Sequence, residues 1–503
     1  MTTKRIPGAL LCLLLSAGAL IGCADAAAPS ADQQTPDTAH LTQETTDTAA
    51  STEEERLTPE LPEADFGGYD FRVLHWEPGD NGWESRAVVD IDAEAENGEA
   101  INDAVFRRNS AVEERCNITI SLDLQDSAHA KFKKAAMSGD DTYSLVHLTV
   151  GDATGMVSNG YYYNIRELPH VDLTKPWYDP NSIEALDYKG KLYMISTDIT
   201  TEEKNATTTL LFNKQMAQQF DLPDMYEMVL GGTWTFDRMQ EMYRGVSADV
   251  NGDGKMTLDD RWGFLGARDF AGCLYISGGG TYVSRDASGD LYDSFPSEYN
   301  ITLVQKIQAI MCDEDNFYNH HSGTKQAPET DDYEYRMLFH DGKGLFYWAR
   351  FDDVLVLRAM DADFGILPIP KYNEQQASYL SLVSPYTSSL MSVPISISDP
   401  DRTGYIIEAL AAESKYTLQP AYYEKALKGI SLRDSESEDM LDIIFDNRVY
   451  DFGFIFDIGG WRTQLEQNIA ISLNKPVASQ YEKSKTKIEK ALNKLVEKLE
   501  ELE

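Results

Sequence analysis

The sequence predicts an α/β protein, and three observations support this class. From Phe66 onward, short apolar runs alternate with segments in which apolar residues recur at helical spacing. The chain has 503 residues, of which 42% are hydrophobic and 11% aromatic, so it can bury sizeable cores. No repeat of about 20–50 residues is visible, which argues against solenoids and propellers.

The first elements follow one another as strand, helix, strand, helix, strand. Residues 71–76 form an apolar run between glycine and proline turns, and residues 98–115 carry apolar positions at helical spacing. Strands at 118–122 and 145–150, with a short helix near 128–137 between them, complete the unit. Crossovers of this length predict a parallel sheet with both faces covered.

A second α/β region is predicted from about residue 195. Residues 207–212 predict a strand, and a helix is expected after Asn213. The final segment, 480–503, has a narrow apolar seam among lysines and glutamates, so it predicts a charged amphipathic helix. We expect this helix to pack on the body, because two heptads are marginal for a coiled coil.

The N-terminus predicts export and lipid anchoring. Two basic residues precede an apolar run at 9–21, which is too short for a spanning helix of about 20 residues. The run ends in Leu-Ile-Gly-Cys, which resembles the lipobox of bacterial lipoproteins. Residues 1–22 would then be the signal peptide, and Cys23 would carry the lipid. An ordinary signal peptide with a chance cysteine is the alternative.

Residues 23–65 are predicted to be a disordered acidic tether. Positions 24–65 contain 11 acidic residues against the single basic Arg56, and they lack a periodic apolar face. Such a segment cannot bury enough surface to offset the entropy of ordering. The globular body would therefore be held at a distance from a lipid bilayer by a flexible leash.

The charge and the cysteines exclude several classes of protein. The chain has 83 acidic and 44 basic residues, a formal net charge of −39, and such a surface repels phosphate backbones, so nucleic-acid binding is not expected. No C-x-x-C spacing suggests a thiolate metal site or a disulfide scaffold. Of Cys116, Cys273 and Cys312, at most two can pair.

The sequence lacks the usual enzyme signatures. It has no G-x-S-x-G elbow, H-E-x-x-H helix, phosphate-binding loop or dinucleotide fingerprint. The protein is therefore predicted not to be an enzyme and to use no organic cofactor. Carboxylate pairs for glycoside hydrolysis cannot be chosen from sequence, because their diagnostic property is a spatial separation, so a surface glycosidase stays open.

Residues 249–260 predict a structural calcium site. The loop has oxygen-bearing side chains at its positions 1, 3 and 5, glycine at position 6 and an acid at position 12, and it resembles the calcium loops of dockerins. A turn with solvated acids is the alternative reading. The predicted ligands are Asp249, Asn251, Asp253, the carbonyl of Lys255, and Asp260.

Ligand-binding residues are predicted at strand ends. In open α/β sheets, ligands bind beyond the carboxyl ends of the strands, a rule that selects Trp76 and Glu77 after the first strand and Thr149 and Asp152 after the third. Aromatic rings in a cleft suit the flat faces of sugars. Trp348 and Tyr386 lie beside a strand end or a crossing between lobes, and Arg350 would donate to hydroxyl groups.

Five segments resemble the extracellular solute-binding proteins of ABC importers, in the branch related to maltose-binding proteins. They are 188–195, 211–214, 232–235, 339–346 and 363–370, and their order and spacing are more specific than any one of them. At the end of the first segment, where the family often has proline, this chain has Ile195-Ser196. The resemblance covers nearly everything from Phe66 to about Asn474.

The resemblance implies two doubly wound α/β lobes, joined by crossing strands, that close on a ligand in the cleft between them. Lobe 1 would contain 66–194 and 345–384, and lobe 2 would contain 195–344 and 385–503. The expected function is capture of an extracellular solute, with a carbohydrate favoured, and its delivery to ABC permease subunits. A monomer lipid-anchored to the extracytoplasmic face of the cell membrane is expected. An oligopeptide receptor is a further alternative.

Overall fold

The computed structural model describes residues 56–79, 87–320, 334–357, 363–430 and 436–502. Its strands are β1 (Tyr69–Trp76), β2 (Ile118–Gln125), β3 (Leu145–Thr149), β4 (Thr208–Asn213), β5 (Trp262–Gly266), β6 (Val283–Arg285), β7 (Leu291–Asp293), β8 (Phe317–Asn319), β9 (Gly344–Arg350), β10 (Phe364–Leu367), β11 (Ser381–Leu382), β12 (Ser389–Ser392) and β13 (Arg448–Val449).

The α-helices alternate with these strands along most of the chain. They are α1 (Ala100–Cys116), α2 (Ala128–Ser138), α3 (Val150–Ser158), α4 (Pro180–Leu186), α5 (Glu202–Asn205), α6 (Lys214–Gln219), α7 (Met225–Leu230), α8 (Phe236–Val246), α9 (Phe270–Ser277), α10 (Glu298–Met311), α11 (Glu334–His340), α12 (Phe351–Leu357), α13 (Pro400–Tyr416), α14 (Leu418–Ile430), α15 (Glu436–Asp446), α16 (Phe452–Phe456), α17 (Trp461–Gln464) and α18 (Val477–Glu501). A short π-helix at Leu465–Ile469 follows α17.

The first sheet has the spatial order β12-β3-β1-β2. Strand β1 pairs in parallel with β2 and β3, and β12 pairs antiparallel with β3, so the sheet is mixed rather than fully parallel. Helix α1 begins where the carboxylate of Glu99 accepts two backbone N–H groups, and it ends at Asn117 in the left-handed region. The strands and helices predicted between 71 and 150 are confirmed.

The second sheet has the order β10-β4-β9-β5-β8. Its central strand, β9, is buried along its whole length, as the near-continuous apolar run of a strand covered on both faces requires. It pairs antiparallel with β4 and in parallel with β5. The strand predicted at 207–212 and the helix after Asn213 are confirmed as β4 and α6.

The predicted assignment of segments to the two lobes is wrong for three strands, which lie in the opposite sheet. Strands β9 and β10 belong to the second sheet, not to lobe 1 with 66–194, and β12 belongs to the first sheet, not to lobe 2. The reason is that β9 is inserted between β4 and β5, where hydrogen bonds on both edges hold it. The chain therefore returns to the first sheet only after β10, through residues 368–388.

The two passages between the sheets run beside each other. On the way to the second sheet, Ile195 forms an antiparallel bridge with Met391 of β12. On the return, the N–H of Ser384 donates to the carbonyl of Ala206 at 2.9 Å. Adjacent backbones joined in this way form the double connection that the crossing-strand prediction requires.

The tether ends earlier than predicted. Residues 1–22, Cys23 and the tether up to 55 lie outside the described residues, but 56–65 contact α13. The hydroxyl of Tyr405 donates to the carbonyl of Pro62 at 2.6 Å, and Leu61 packs on the core. The packing of Leu61 gives this segment buried apolar surface, which the composition of the residues before it does not offer. In the part of the chain that is described, no helix is both long and apolar enough to cross a bilayer.

The C-terminal helix packs on the body as predicted. Helix α18 buries one apolar stripe, and Lys191 Nζ donates to the carbonyl of Leu499 at 2.9 Å near its end. Cys116, Cys273 and Cys312 are all unpaired thiols, so no disulfide joins them.

Candidate functional site

A cavity of about 240 Å³ opens where the end of the second sheet meets the returning chain at 382–386. Its walls combine aromatic rings, ion-paired side chains and a buried acid. The lining residues are Thr208, Ala267, Arg268, Asp269, Cys273, Tyr335, Trp348, Ala349, Arg350, Asp353, Leu382, Ser384, Pro385, Tyr386, Phe454, Glu466 and Gln467.

The cavity lies at the carboxyl ends of two parallel strands. Residues 267–269 directly follow β5, and 348–350 are the last residues of β9. Thr208, the first residue of β4, is the register partner of Arg350. Ligands of open α/β sheets bind at such strand ends. The location therefore fits the expectation for a binding site, although it belongs to the second sheet rather than the first.

Trp348 supplies an apolar surface of the cavity. Only 9% of the residue is exposed, and its ring lies 5.9 Å from that of Phe270, centroid to centroid. Its indole N–H forms no hydrogen bond of ordinary geometry with another described residue. A bound molecule that covers this ring could also accept that hydrogen bond, so Trp348 offers both a flat apolar face and a polar edge.

The charged side chains of the wall are largely neutralised by neighbours. Arg268 Nε lies 3.3 Å from Asp269 Oδ1, and Arg350 Nη2 lies 3.1 Å from Asp352 Oδ2. Asp353 is ion-paired with Arg336 at 2.6 Å. These pairs leave hydrogen-bonding groups at the cavity wall without a large net charge of either sign.

Glu466 is an acid that the fold keeps neutral. It lies in the π-helix at 465–469, and its residue is 1% exposed. Burial, reinforced by the nearby Asp269 carboxylate, raises the pKa of Glu466 to about 8. The hydroxyl of Tyr386 donates to its Oε2 at 2.9 Å. The carboxyl rests against Gly272, where a Cβ would overlap it.

Three of the seven predicted binding residues meet in this cavity. Trp348, Arg350 and Tyr386 all line it. Tyr386 lies on the chain returning to the first sheet, and the guanidinium of Arg462 lies 5.2 Å from the centre of its ring. The crossing between lobes thus contributes directly to the wall, as the resemblance implied.

The other four predicted binding residues lie elsewhere. Trp76 is a core residue, 7% exposed, whose indole N–H donates to Ser389 Oγ at 2.9 Å. Glu77 is exposed beyond the end of β1. Thr149 caps α3 and donates to the carboxylate of Asp152 at 3.2 Å. None of the four lines the cavity.

The wall residues that the sequence does not predict include two charged residues after β5 and one buried acid. Arg268 and Asp269 follow β5 directly, so the strand-end rule would have selected them if the strand at 262–266 had been recognised. Glu466 offered no comparable signal, because the sequence around it has no strand end and no motif. Its role depends on burial, which only the tertiary packing of α9 and the π-helix creates.

The predicted calcium loop has the turns that the template requires. Asp249 accepts the N–H groups of Gly252 and Gly254, and both glycines have φ in the left-handed region, 73° and 80°. Asn251 Oδ1 and Asp253 Oδ1 each accept one further backbone N–H at 2.9 Å.

Asp260, at position 12 of the loop, is held by more hydrogen bonds than the ligands at positions 1, 3 and 5. Asp260 is 1% exposed; its carboxylate accepts the N–H of Val250 at 2.9 Å and both the N–H and the hydroxyl of Thr257. The predicted oxygen donors therefore belong to one closed loop whose chemistry fits a hard cation. Calcium binding stays a prediction.

Comparison with known proteins places the fold among solute-binding proteins. No family model matches the sequence, and no curated protein matches it. Among solved structures, the chain is similar to the maltose/maltodextrin-binding domain MalE from Bdellovibrio bacteriovorus bound to maltotriose. The TM-score is 0.52 at 17% identity, over 84% of this chain and 100% of that one.

Two further solved structures have the same architecture. UgpB from Mycobacterium tuberculosis, in complex with glycerophosphocholine, gives a TM-score of 0.54 at 16% identity, over 81% of this chain and 100% of that one. The ABC substrate-binding protein Lmo0181 from Listeria monocytogenes, in complex with cycloalternan, gives 0.51 at 10% identity, over 85% and 98%. The predicted fold class is confirmed: the chain has the mixed α/β fold of maltose-binding-protein-like periplasmic binding proteins.

Proposed function

We propose that this protein is a solute-binding protein that captures a carbohydrate and does not alter it. The observation that supports this most is the composition of the cavity at the strand ends. Trp348 offers an apolar platform, while Arg268 and Arg350 are balanced by neighbouring acids and Glu466 is protonated at neutral pH. Such a wall presents many hydrogen bonds and little net charge, which suits an uncharged polyhydroxylated molecule.

Capture would work by closure about the double connection between the sheets. Tyr386 and Ser384 lie on this connection and also line the cavity, so a solute there contacts both the second sheet and the hinge. A ligand shifts a conformational equilibrium only by its additional contacts in the favoured state. Contacts with the first sheet that form on closure would stabilise the closed form.

The folds of the similar proteins favour a partner that imports the solute. One of them is named as an ABC substrate-binding protein, and the complexes contain maltotriose, cycloalternan or glycerophosphocholine. We infer that the closed form delivers its solute to ABC permease subunits. A lipid on Cys23 and a flexible segment before Arg56 would keep the body near them, at the extracytoplasmic face of the membrane. Each buried methylene contributes about 0.8 kcal/mol to the free energy of membrane binding, so several acyl chains together hold the protein firmly.

Solute binding tests the proposal through a pair of tryptophan variants. We expect Trp348→Phe to weaken carbohydrate binding about 10-fold, because it removes a buried indole N–H and part of the platform. Trp76→Phe should change the affinity by less than about twofold, since Trp76 lies in the core away from the cavity. Isothermal titration of the full chain with maltooligosaccharides and short peptides measures both.

Other outcomes favour other functions. Tight binding of peptides without sugars would indicate an oligopeptide receptor. Cleaved oligosaccharide in the titration cell would indicate a glycosidase, because a binding protein returns its solute unchanged. Equal loss of sugar affinity in the two variants would contradict the assignment of the cavity.

The lipid anchor has its own test. In a bacterial host fed labelled palmitate, the wild-type chain should carry label and sediment with membranes, because the thiol of Cys23 is the acceptor. Cys23→Ser should remove the label and release the protein from the membrane fraction. Cys12→Ser, within the predicted signal, should behave like the wild type. Label retained in Cys23→Ser would contradict the assignment.

The buried acid of the cavity predicts a pH-dependent stability. Folded Glu466 keeps its proton up to about pH 8, whereas in the unfolded chain the carboxyl ionises near 4.5. Between these values the folded state holds more protons, so the free energy of unfolding falls as pH rises, by at most about 1.4 kcal/mol per pH unit. Glu466→Gln has no such proton, so urea unfolding from pH 5 to 8 should show a shallower decline. The exposed control Glu497→Gln should keep the wild-type slope, and a slope unchanged in Glu466→Gln would refute the prediction.

Calcium binding to the loop predicts stabilisation of the folded state. At a calcium concentration of about 100 times the Kd, the free energy of unfolding should rise by about 2.7 kcal/mol, and a chelator should reverse the gain. Asp253→Asn should reduce the effect, because it removes one negative charge from position 5 while keeping an oxygen ligand there. Asp259→Asn changes an exposed acid at a position that supplies no ligand, and it should respond like the wild type. Thermal unfolding that is indifferent to calcium and chelator alike would argue against occupancy.

A further inference from the structure

A buried cluster of two histidines and one glutamate lies at the other end of the double connection, away from the cavity. His75 is on β1, His147 on β3 and Glu202 on α5. Their side chains are 0%, 1% and 0% exposed. One ligand atom from each lies within 4.8 Å of the other two. Among the described residues, this is the group of three histidine, cysteine or acidic side chains whose ligand atoms come this close together.

The hydrogen bonds of His75 leave a lone pair facing a carboxylate. Its Nδ1 lies 2.5 Å from the carbonyl oxygen of Trp76, which can only accept, so Nδ1 carries a proton. Its Nε2 lies 2.8 Å from Glu202 Oε1. A neutral imidazole and a carboxylate would meet there as two acceptors, and a positive charge between them removes the conflict. A metal-bound histidine commonly donates its other ring N–H to a backbone carbonyl in this way.

His147 gives an independent indication. Its Nε2 has no hydrogen-bond partner among the described residues, and its Nδ1 has only a long contact with Glu202, although the side chain is 1% exposed. Its Nδ1 lies 3.6 Å from Glu202 Oε1, and its ring stacks on that of His75 with centroids 5.7 Å apart. A buried polar group without a partner costs about 1–3 kcal/mol. Coordination of a cation would satisfy this ring.

The surroundings also favour a cation. Glu202 Oε2 accepts the N–H of Ser389 at 3.0 Å, which fixes the orientation of the carboxylate. Asp90 is close enough to both Glu202 and His75 for their charges to interact, and its Oδ1 has no partner among the described residues. The buried guanidinium of Arg108 balances the charge of Asp90. The Glu202 carboxylate faces the two imidazoles, where a cation or a proton can balance it.

We propose that His75, His147 and Glu202 form a zinc site that fastens the crossing to the first sheet. Two imidazoles and one carboxylate are a known ligand set for Zn²⁺, with bonds of about 2.0–2.1 Å and ligand atoms therefore about 3.3 Å apart in a tetrahedron. The two distances to Glu202 Oε1, 2.8 Å from His75 Nε2 and 3.6 Å from His147 Nδ1, lie on either side of that value. The ion would join β1, β3 and α5, and through Glu202 also β12.

Metal content of the purified full chain tests the site. The protein, prepared without a metal-affinity step, is incubated with Zn²⁺, dialysed into metal-free buffer and assayed by mass spectrometry. We expect about one zinc per chain in the wild type and at least about 10-fold less retained zinc in His147→Phe, because one of the three ligands is lost. Phenylalanine keeps a ring that can stack on His75 but supplies no ligand atom.

Two controls separate this site from other sources of zinc. His129→Phe changes a half-exposed histidine outside the cluster, and Asp253→Asn changes the predicted calcium loop; both should retain the wild-type content. Should His147→Phe fail to fold, Co²⁺ bound to the wild type still tests the site: a visible spectrum typical of imidazole coordination supports it, and the spectrum of the hydrated ion contradicts it. No retained zinc in the wild type, or equal zinc in His147→Phe, would overturn the proposal.

Discussion

The buried carboxylate of Glu202 is the constraint on which the junction between the two sheets depends. A charge without exposed surface is tolerated only where donors or cations meet it, and removing one partner of such a pair costs about 3–5 kcal/mol. Here His75 and the N–H of Ser389 meet it. Both belong to strands of the first sheet, so the segment that leaves for the second sheet must pass over these two positions.

A second buried charge acts on the same segment. Arg108 of α1 is 1% exposed and donates to the carbonyls of Ile199 and Ile91, each at 2.6 Å. A guanidinium can hold several carbonyls at once because its donors form a rigid fork. The chain between 199 and 202 is thus held by α1 on one side and by β1 and β12 on the other. The position of β4, which follows within a few residues, and hence of the cavity at its first residue, is set by these bonds.

The positions of individual strands and helices can be predicted from the sequence, whereas the sheet that each strand joins and the contacts of buried side chains cannot. Runs such as 71–76 and the helical spacing of 98–115 are local properties, and the structure has β1 and α1 at these places. Which sheet a strand joins is not local: β9 has an apolar run that would suit either sheet, and only pairing with β4 and β5 decides. Burial is equally nonlocal: the strand-end rule selects Trp76, but the sequence does not show that its indole donates to Ser389, more than three hundred residues away in the chain. The sequence does not indicate Glu466, because the residues that bury it and bond to it, among them Gly272 and Tyr386, lie far from it in the chain.

The neutrality of the cavity has a consequence for selectivity. The chain as a whole is strongly negative, so its long-range field disfavours the approach of anions, within the screening limit of about 8–10 Å at physiological salt. A cation drawn in by that field would meet Arg268 and Arg350 in the wall. Their partner acids are already engaged, and Glu466 holds its proton until about pH 8, so a cation finds no free carboxylate there. An uncharged solute is repelled neither by the negative charge of the chain nor by the arginines of the wall. It exchanges water for the polar groups of the wall and covers the ring of Trp348. The charges of the protein therefore disfavour both anionic and cationic solutes, whichever hydrogen bonds the cavity forms with its ligand.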